Sequence, residues 1–309
     1  MKYLILNQLG TPKAPDAESV GLYLSEFLMD KNVIKIPRPF RDLLVKMLIV
    51  PLRKRKSAQK YQQIWTAEGS PLAVNTEKLR IKIQKKLGPG WTVLVGMRYG
   101  EPSIEEAFRK ILSEPESIFF LPLYPQYAQA TVWSAIEKMQ EVSAYKKVFI
   151  PPAFYQQDWY IRAQSEVIRQ HLKADEHLVL SYHGLPIKQD AHRGISYSEQ
   201  CFKTSEQLAR NLSLSRYSTA FQSRLGPTKW LGPSTEEECL RLLKSGVKKI
   251  KVACPAFVAD CLETIEEIGQ ELKEEFLSRG GESFELIPCL NDDDLFVEGV
   301  IEELENNQS

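Results

Sequence analysis

The hexapeptide Ser181-Tyr182-His183-Gly184-Leu185-Pro186 closes an apolar run, His177-Leu178-Val179-Leu180, and so puts an imidazole at the mouth of a buried strand. In α/β proteins ligands bind beyond the carboxyl ends of such strands. Further along, Asp260-Cys261-Leu262-Glu263-Thr264 opens a helix in which Asp260, Glu263, Glu267, Glu271 and Glu274 recur at 3- and 4-residue spacing. A neutral imidazole facing carboxylates can accept protons and can hold a borderline divalent metal. That combination suits an enzyme that places a metal ion in an organic ligand.

Each feature has a plainer alternative. His183 could be a hydrogen-bonded turn histidine. The acids oppose a core stripe of Leu262, Ile265, Ile268, Leu272 and Phe276, the ordinary arrangement for a solvated helix face. Two points favour chemistry. Glu263, Glu267 and Glu271 form one like-charged ridge, which costs about a few tenths of a kcal/mol per i,i+4 pair. The ridge also begins at a strand-to-helix turn. The four histidines (His171, His177, His183, His192) include no H-E-x-x-H array, so a fixed structural zinc site is not expected. Five dispersed cysteines without a C-x-x-C pair read as reduced, mostly buried thiols.

The elements that must position these residues alternate along the whole chain. Strands are expected at 2–7, 92–97, 117–121, 147–150, 178–182, 218–222, 249–254 and 284–288, separated by amphipathic helices. The turns repeat in order. Leu9-Gly10-Thr11-Pro12 is matched by His183-Gly184-Leu185-Pro186, Gly100-Glu101-Pro102-Ser103 by Leu225-Gly226-Pro227-Thr228, and Pro122-Leu123-Tyr124 with Thr131 by Pro255-Ala256-Phe257 with Thr264. The expectation is two doubly wound, Rossmann-like α/β domains related by internal duplication, over 1–150 and 151–309, with a cleft between them. The last helix is expected to pack back on the first domain. The duplication is chemically lopsided: Leu9 stands where the second half has His183, and Ala130 where it has Glu263. One half offers an apolar wall and the other polar chemistry, which fits a large, flat, mostly apolar ligand.

At 309 residues the chain can bury two cores, and its 40 basic and 40 acidic residues balance, which gives no footprint for nucleic acid. The start, Met1-Lys2-Tyr3-Leu4-Ile5-Leu6-Asn7, is too short an apolar run for a signal peptide, and no stretch approaches the ~20 apolar residues that span a bilayer. These features point to a cytoplasmic protein. Residues 33–60 hold nine Lys or Arg against one acid, Asp42, around the run Leu43-Leu44-Val45-Lys46-Met47-Leu48-Ile49-Val50-Pro51-Leu52. Such a helix could rest on an anionic membrane surface, form the lip of an apolar pocket, or be an ordinary half-buried helix.

With these residues in place, the sequence resembles the ferrochelatase family, in wording closest to its proteobacterial branch. The motifs run nearly end to end: Leu9-Gly10-Thr11-Pro12, Tyr23-Leu24 with Glu26-Phe27-Leu28 and Asp30, Ile36-Pro37-Arg38, Tyr61 with Ile64-Trp65, Gly69-Ser70-Pro71-Leu72, Met97-Arg98-Tyr99-Gly100 and Pro122-Leu123-Tyr124-Pro125-Gln126-Tyr127. The second half adds Ser181 to Pro186, Gln222-Ser223-Arg224, Trp230-Leu231 and Asp260 to Thr264.

The resemblance implies insertion of Fe²⁺ into protoporphyrin IX, giving protohaem and releasing two protons. By motif, His183 and Glu263 are the catalytic and metal-handling pair, with Asp260, Glu267 and Glu271 as a proton or metal relay. Leu9, Tyr61, Arg98, Tyr99, Tyr124, Trp230 and Phe257 match positions at the porphyrin pocket, and Arg53 and Ser223 are candidates to meet propionates. Fe²⁺ is then a substrate rather than a resident cofactor. The chain ends Glu305-Asn306-Asn307-Gln308-Ser309, so the C-terminal iron–sulfur cluster of some members is not expected. Another tetrapyrrole (coproporphyrin or a corphin-type ring), or a non-catalytic porphyrin or haem carrier, stays open. Two departures stand out. The family's Gly-Asp-Pro-Tyr is Gly194-Ile195-Ser196-Tyr197 here, and Ala128 and Ala130 make the rim after Tyr127 less polar.

Overall fold

The computed structural model describes residues 1–143, 146–224 and 228–307. The chain divides into two compact units, one built from Met1–Leu123, Gln129–Pro152 and the residues from Glu303 on, the other from Tyr124–Ala128 and Ala153–Glu302.

In the first unit, β1 (Lys2–Gly10), β2 (Trp91–Tyr99) and β3 (Ser117–Pro122) form a parallel sheet in the order β2-β1-β3. The second unit contains β4 (His177–His183), a short hairpin of β5 (Ala191–His192) and β6 (Ile195–Ser196), then β7 (Tyr217–Gln222), β8 (Lys249–Ala253) and β9 (Ser283–Leu286). Its main sheet is parallel with order β7-β4-β8-β9. Each unit therefore centres its first strand and flanks it with its second and third. Leu4, Ile5 and Leu6 of β1 and Leu178, Val179 and Leu180 of β4 are fully buried, as the near-continuous apolar runs of parallel strands require.

The expected strand at 147–150 shrinks to a single parallel bridge between Phe149 and Phe119. Pro151 and Pro152 follow at once and have no N–H to extend a ladder. The bridge still gives the first unit the strand order of the second.

The repeated turns are built alike. Gly10 ends β1 at φ +107, and a Cβ there would lie 1.7 Å from the Tyr99 carbonyl oxygen; a Cβ at Gly184, after β4, would lie 2.6 Å from that of Gln222. In both, the glycine lets the first strand's exit press against the end of the second. The stretch matched to Gly100-Glu101-Pro102-Ser103 in the sequence includes residues 225–227, which lie outside the described residues. Its structural counterpart is Gly232-Pro233-Ser234. Met97 N–H donates to Pro102 O and Phe221 N–H to Pro233 O, at 2.7 and 3.0 Å. Ser103 and Ser234 then cap the following helices, each in a reciprocal capping box, with Glu106 and Glu237 respectively.

Residues 38–64 are helical throughout, with a π-helical stretch at Leu44–Ile49. Val45, Ala58, Tyr61 and Ile64 face inward, whereas Phe40, Leu43, Met47, Leu48 and Leu52 are exposed. Among the described residues no helix is long and apolar enough to cross a membrane.

In the second unit Lys251 of β8 is buried against Glu176, 3.7 Å away, and is ion-paired with Glu285. Its strand neighbours Ile250 and Val252 belong instead, with Val179, Ile268, Phe276 and Phe284, to the apolar core packed on this sheet.

Candidate active site

Because β4, β7 and β8 run parallel, their carboxyl ends gather His183, Gln222, Ser223 and the Cys254–Phe257 turn at one edge. His183 pairs in register with Gln222. The strand exit is fixed on both sides of the imidazole: Gly184 N–H donates to Gln222 O at 2.7 Å, and the Tyr197 hydroxyl donates to His183 O at 3.0 Å. The ring is oriented too. His183 Nδ1 lies 2.7 Å from Gly184 O. A carbonyl only accepts, so Nδ1 carries the proton and Nε2 of the neutral ring keeps its lone pair. The Phe257 ring stands 6.3 Å from the imidazole, centroid to centroid.

Residues 260–264 form a built corner. Asp260 accepts from Thr264 Oγ1 at 3.0 Å, Asn291 Nδ2 at 2.7 Å and Cys289 N at 3.2 Å, while its own N–H donates to Asn291 Oδ1. The carboxylate thus ties the start of the helix to the chain after β9. From Glu263 to Leu272 that helix is π-helical, a wide geometry with i→i+5 bonds that is concentrated at functional sites. Exposure grows along the acidic ridge: Glu263 and Glu267 are half-buried and Glu271 is exposed.

Glu267 is held from the end of β7. It accepts from Ser223 N–H at 2.7 Å and from the Ser223 hydroxyl at 2.6 Å. Burial raises its carboxyl above the usual range, further than the Ser223 hydroxyl and the His183 charge lower it, and Glu263 adds to the rise. His183, Glu263 and Glu267 therefore share one electrostatic neighbourhood. Ser223, expected from its motif near a propionate, spends both donors on Glu267, and it does so at φ +65.

The expected site residues fall in two groups. His183, Asp260, Glu263, Glu267, Glu271, Tyr124, Ser223, Trp230 and Phe257 belong to the second unit; Leu9, Arg53, Tyr61, Arg98 and Tyr99 belong to the first. Trp230 pairs with Pro186, two residues past Gly184. In the first unit, Arg98 Nη2 and the Tyr99 hydroxyl both reach Asp30 Oδ2, at 2.5 and 2.8 Å. Burial opposes ionisation of Asp30, yet the hydrogen bonds from Ser134 and Asn32 and the Arg98 charge outweigh it and lower its pKa. Tyr61 is buried, edge-on to Trp65, and Arg53 is half-buried in the helix Val50–Ile64.

Sequence reasoning left three partners unassigned. Tyr197 grips the His183 carbonyl. Asp190 organises the loop at Gly194-Ile195-Ser196-Tyr197: its carboxylate accepts from Ser198 N at 2.7 Å, Ser198 Oγ at 2.8 Å and Ser196 Oγ at 3.0 Å. Ser196 then caps the helix Tyr197–Asn211. The third is Gln222, visible beforehand only as part of the motif Gln222-Ser223-Arg224, with no partner assigned to its side chain. All five cysteines are free and buried, and burial pushes the Cys254, Cys261 and Cys289 thiols upward.

Comparison with known proteins places this geometry. The family model "Ferrochelatase" matches residues 2–308. The ferrochelatase of Legionella pneumophila (strain Philadelphia 1) is 44% identical over 312 residues, covering 94% of each chain. That of Coxiella burnetii (strain Dugway 5J108-111) is 38% identical over 313 residues, covering 93% of this chain and 88% of its own. Among solved structures, CbiX, the terminal enzyme for biosynthesis of sirohaem in denitrifying bacteria, aligns over 100% of this chain and 99% of its own at TM-score 0.55 and 12% identity. SirB from Bacillus subtilis with Fe³⁺ aligns over 99% and 94% at TM-score 0.58 and 11% identity. Those two share the fold.

Proposed function

From the premise that this chain belongs to the ferrochelatase family, we propose that it inserts Fe²⁺ into protoporphyrin IX to form protohaem, with His183 as proton acceptor and Glu263 handling the metal or its protons. A planar porphyrin holds its nitrogen lone pairs in the ring plane, so metal entry is slow until the ring bends. A pocket that fits a bent ring better than a flat one lowers that barrier. Two pyrrole protons must leave, and Nε2 of a neutral imidazole is a suitable acceptor near neutral pH.

The observation that carries this reading is the shared environment of His183, Glu263 and the half-buried Glu267 carboxyl that Ser223 grips with two bonds. A proton taken by the imidazole would have an acid of raised affinity close by, and Glu271 offers an exposed exit. Asp260 then serves chiefly to anchor the corner from which the track starts. Tyr124, Trp230 and Phe257 would contact the macrocycle on the side of His183. Leu9, Tyr61, Arg98 and Tyr99 are further proposed contacts, and Arg53 is a proposed propionate partner. The Fe²⁺ is substrate throughout, and no iron–sulfur cluster is needed for the reaction.

The test is loss of porphyrin fluorescence without oxygen, with Fe²⁺ or Zn²⁺ as the metal. Protoporphyrin should be metallated faster than coproporphyrin. Preference for the more carboxylated ring would reassign the substrate, and tight binding without insertion would make the protein a carrier.

A second observation supports peripheral membrane contact on the cytoplasmic side. Phe40, Leu43, Met47, Leu48 and Leu52 are exposed on a helix that continues into Arg53-Lys54-Arg55-Lys56. Apolar residues beside cations suit an anionic bilayer surface. The protein should float with vesicles containing anionic lipid and not with neutral ones, and Met47→Glu with Leu52→Glu should abolish flotation.

A further inference from the structure

We infer that Gln222 is a positioning residue that sets Glu263 against His183, an inference that rests on reading those two as the catalytic pair. Gln222 ends β7 directly opposite His183 and is 2% exposed. Its backbone carbonyl holds the strand exit through Gly184 N–H at 2.7 Å. Its side chain reaches the other way: Nε2 donates to the main-chain carbonyl of Glu263 at 2.7 Å. One residue therefore grips the chain beside both members of the pair.

The carboxamide cannot turn freely. A carbonyl only accepts, so the contact with Glu263 O fixes Nε2 on that side and Oε1 on the other. There Oε1 accepts from the Ser181 hydroxyl at 2.7 Å and from the Cys254 thiol at 3.5 Å. Ser181 has spent its proton, so the hydroxyl of Thr235, 2.7 Å from Ser181 Oγ, is the donor there. The result is a directed buried chain, Thr235 to Ser181 to Gln222 to Glu263 O. It runs from the helix after β7, across the sheet, to the first residue of the π-helical segment. An apolar side chain of similar length would keep the backbone bond to Gly184 but release Glu263 O together with the Ser181 and Cys254 donors. The substitution Gln222→Met therefore cuts the whole side-chain link while leaving the strand exit in place.

The experiment is a double-mutant cycle on the purified full-length protein, reading Zn²⁺ insertion into protoporphyrin. Gln222→Met should lower kcat about 10- to 100-fold, the range expected for a misplaced catalytic group, with the porphyrin KM within about twofold. On a Glu263→Gln background, residual turnover should drop no further, because nothing is left to misplace. Equal losses on both backgrounds, or a change confined to KM, would overturn the inference. Ser181→Ala guards against a misfolded Gln222→Met: it keeps the carboxamide and its bond to Glu263 O but removes the Ser181 donor to Oε1 and the acceptor of the Thr235 hydroxyl, should lower kcat about threefold or more, and should also have no effect beside Glu263→Gln. An unchanged kcat for Ser181→Ala would count against the chain. A wild-type protein that inserts no metal would instead remove the family reaction itself, so the two failures are distinguishable.

Discussion

Ser223 gives both its backbone N–H and its hydroxyl to the single carboxylate of Glu267, at 2.7 and 2.6 Å, while its own backbone sits at φ +65. A side chain other than glycine pays about 1–2 kcal/mol to stay in that region. Such strain is characteristic of ligand-facing turns, and here it aims two donors at one acceptor. Both bonds lower the Glu267 pKa. Removing the hydroxyl with Ser223→Ala should raise it, so a smaller fraction is ionised at a given pH. The rising limb of the pH–rate profile should then move to higher pH. Ser223→Gly should shift the profile equally but melt higher than Ser223→Ala, by about 1 kcal/mol of stability, because glycine relaxes at positive φ. An unmoved profile in both variants would take Glu267 ionisation out of the rate.

His183 is held at its ring by Gly184 O and at its backbone by Tyr197. His183→Ala should lower metal insertion by about 10²- to 10⁴-fold, the range of general base catalysis, and leave porphyrin binding within about tenfold. Tyr197→Phe keeps the ring and loses only the donor to the His183 carbonyl, so its kcat should fall several-fold less. Stopped-flow porphyrin fluorescence separates binding from insertion. A His183→Ala protein with normal turnover would remove the imidazole from the mechanism.

How far such a site can be read from sequence depends on how local its signals are. His183 was legible because an apolar run ends on it, and Glu263 because the acidic ridge begins at a turn. The strands of the two parallel sheets follow from short apolar runs; 147–150 does not, because two prolines truncate the pairing, and the hairpin strands β5 and β6 had no such run to announce them. Asp190 was hidden because its role depends on a hairpin folding it back onto Ser196 and Ser198. Gln222 was hidden because its partners, Ser181 and Glu263, each lie 41 residues away and meet it only across the sheet. The turn counterpart of Gly100-Glu101-Pro102-Ser103 shows a related limit. Two Gly-Pro pairs, Gly226-Pro227 and Gly232-Pro233, follow β7; the first lies outside the described residues, and the bond from Phe221 N–H to Pro233 O marks the second as a counterpart.

Lys251 provides a contrast between stability and catalysis. Its side chain is 4% exposed, beside that of Glu176 at 5%. Lys251→Met would leave the Glu176 carboxylate buried without its cation, and breaking such a pair costs about 3–5 kcal/mol. Denaturant unfolding should show that loss. Below the melting transition, kcat should match the wild type, since Lys251 pairs with Glu176 and Glu285 rather than with any of the acidic ridge. A fall in kcat without a fall in stability would mean that this cluster communicates with the site.

The raised affinity of Glu267 for a proton also has a thermodynamic sign. Burial, the largest cause, lifts the carboxyl above its ordinary 4.5. The folded state therefore binds this proton more tightly than the unfolded chain does. The resulting stabilisation is fully present below the unfolded value and is lost as pH rises through the raised folded value. Glu267→Gln is neutral at every pH and escapes that loss, though it surrenders the charge in the bonds from Ser223. Its melting temperature relative to wild type should climb as pH rises from the unfolded value through the raised folded value, then level off once Glu267 is ionised in both states. Calorimetric melts of the two proteins across that range measure the difference directly. A difference that stays flat would mean that folding leaves the proton affinity of Glu267 unchanged, and the site would lose its second proton acceptor.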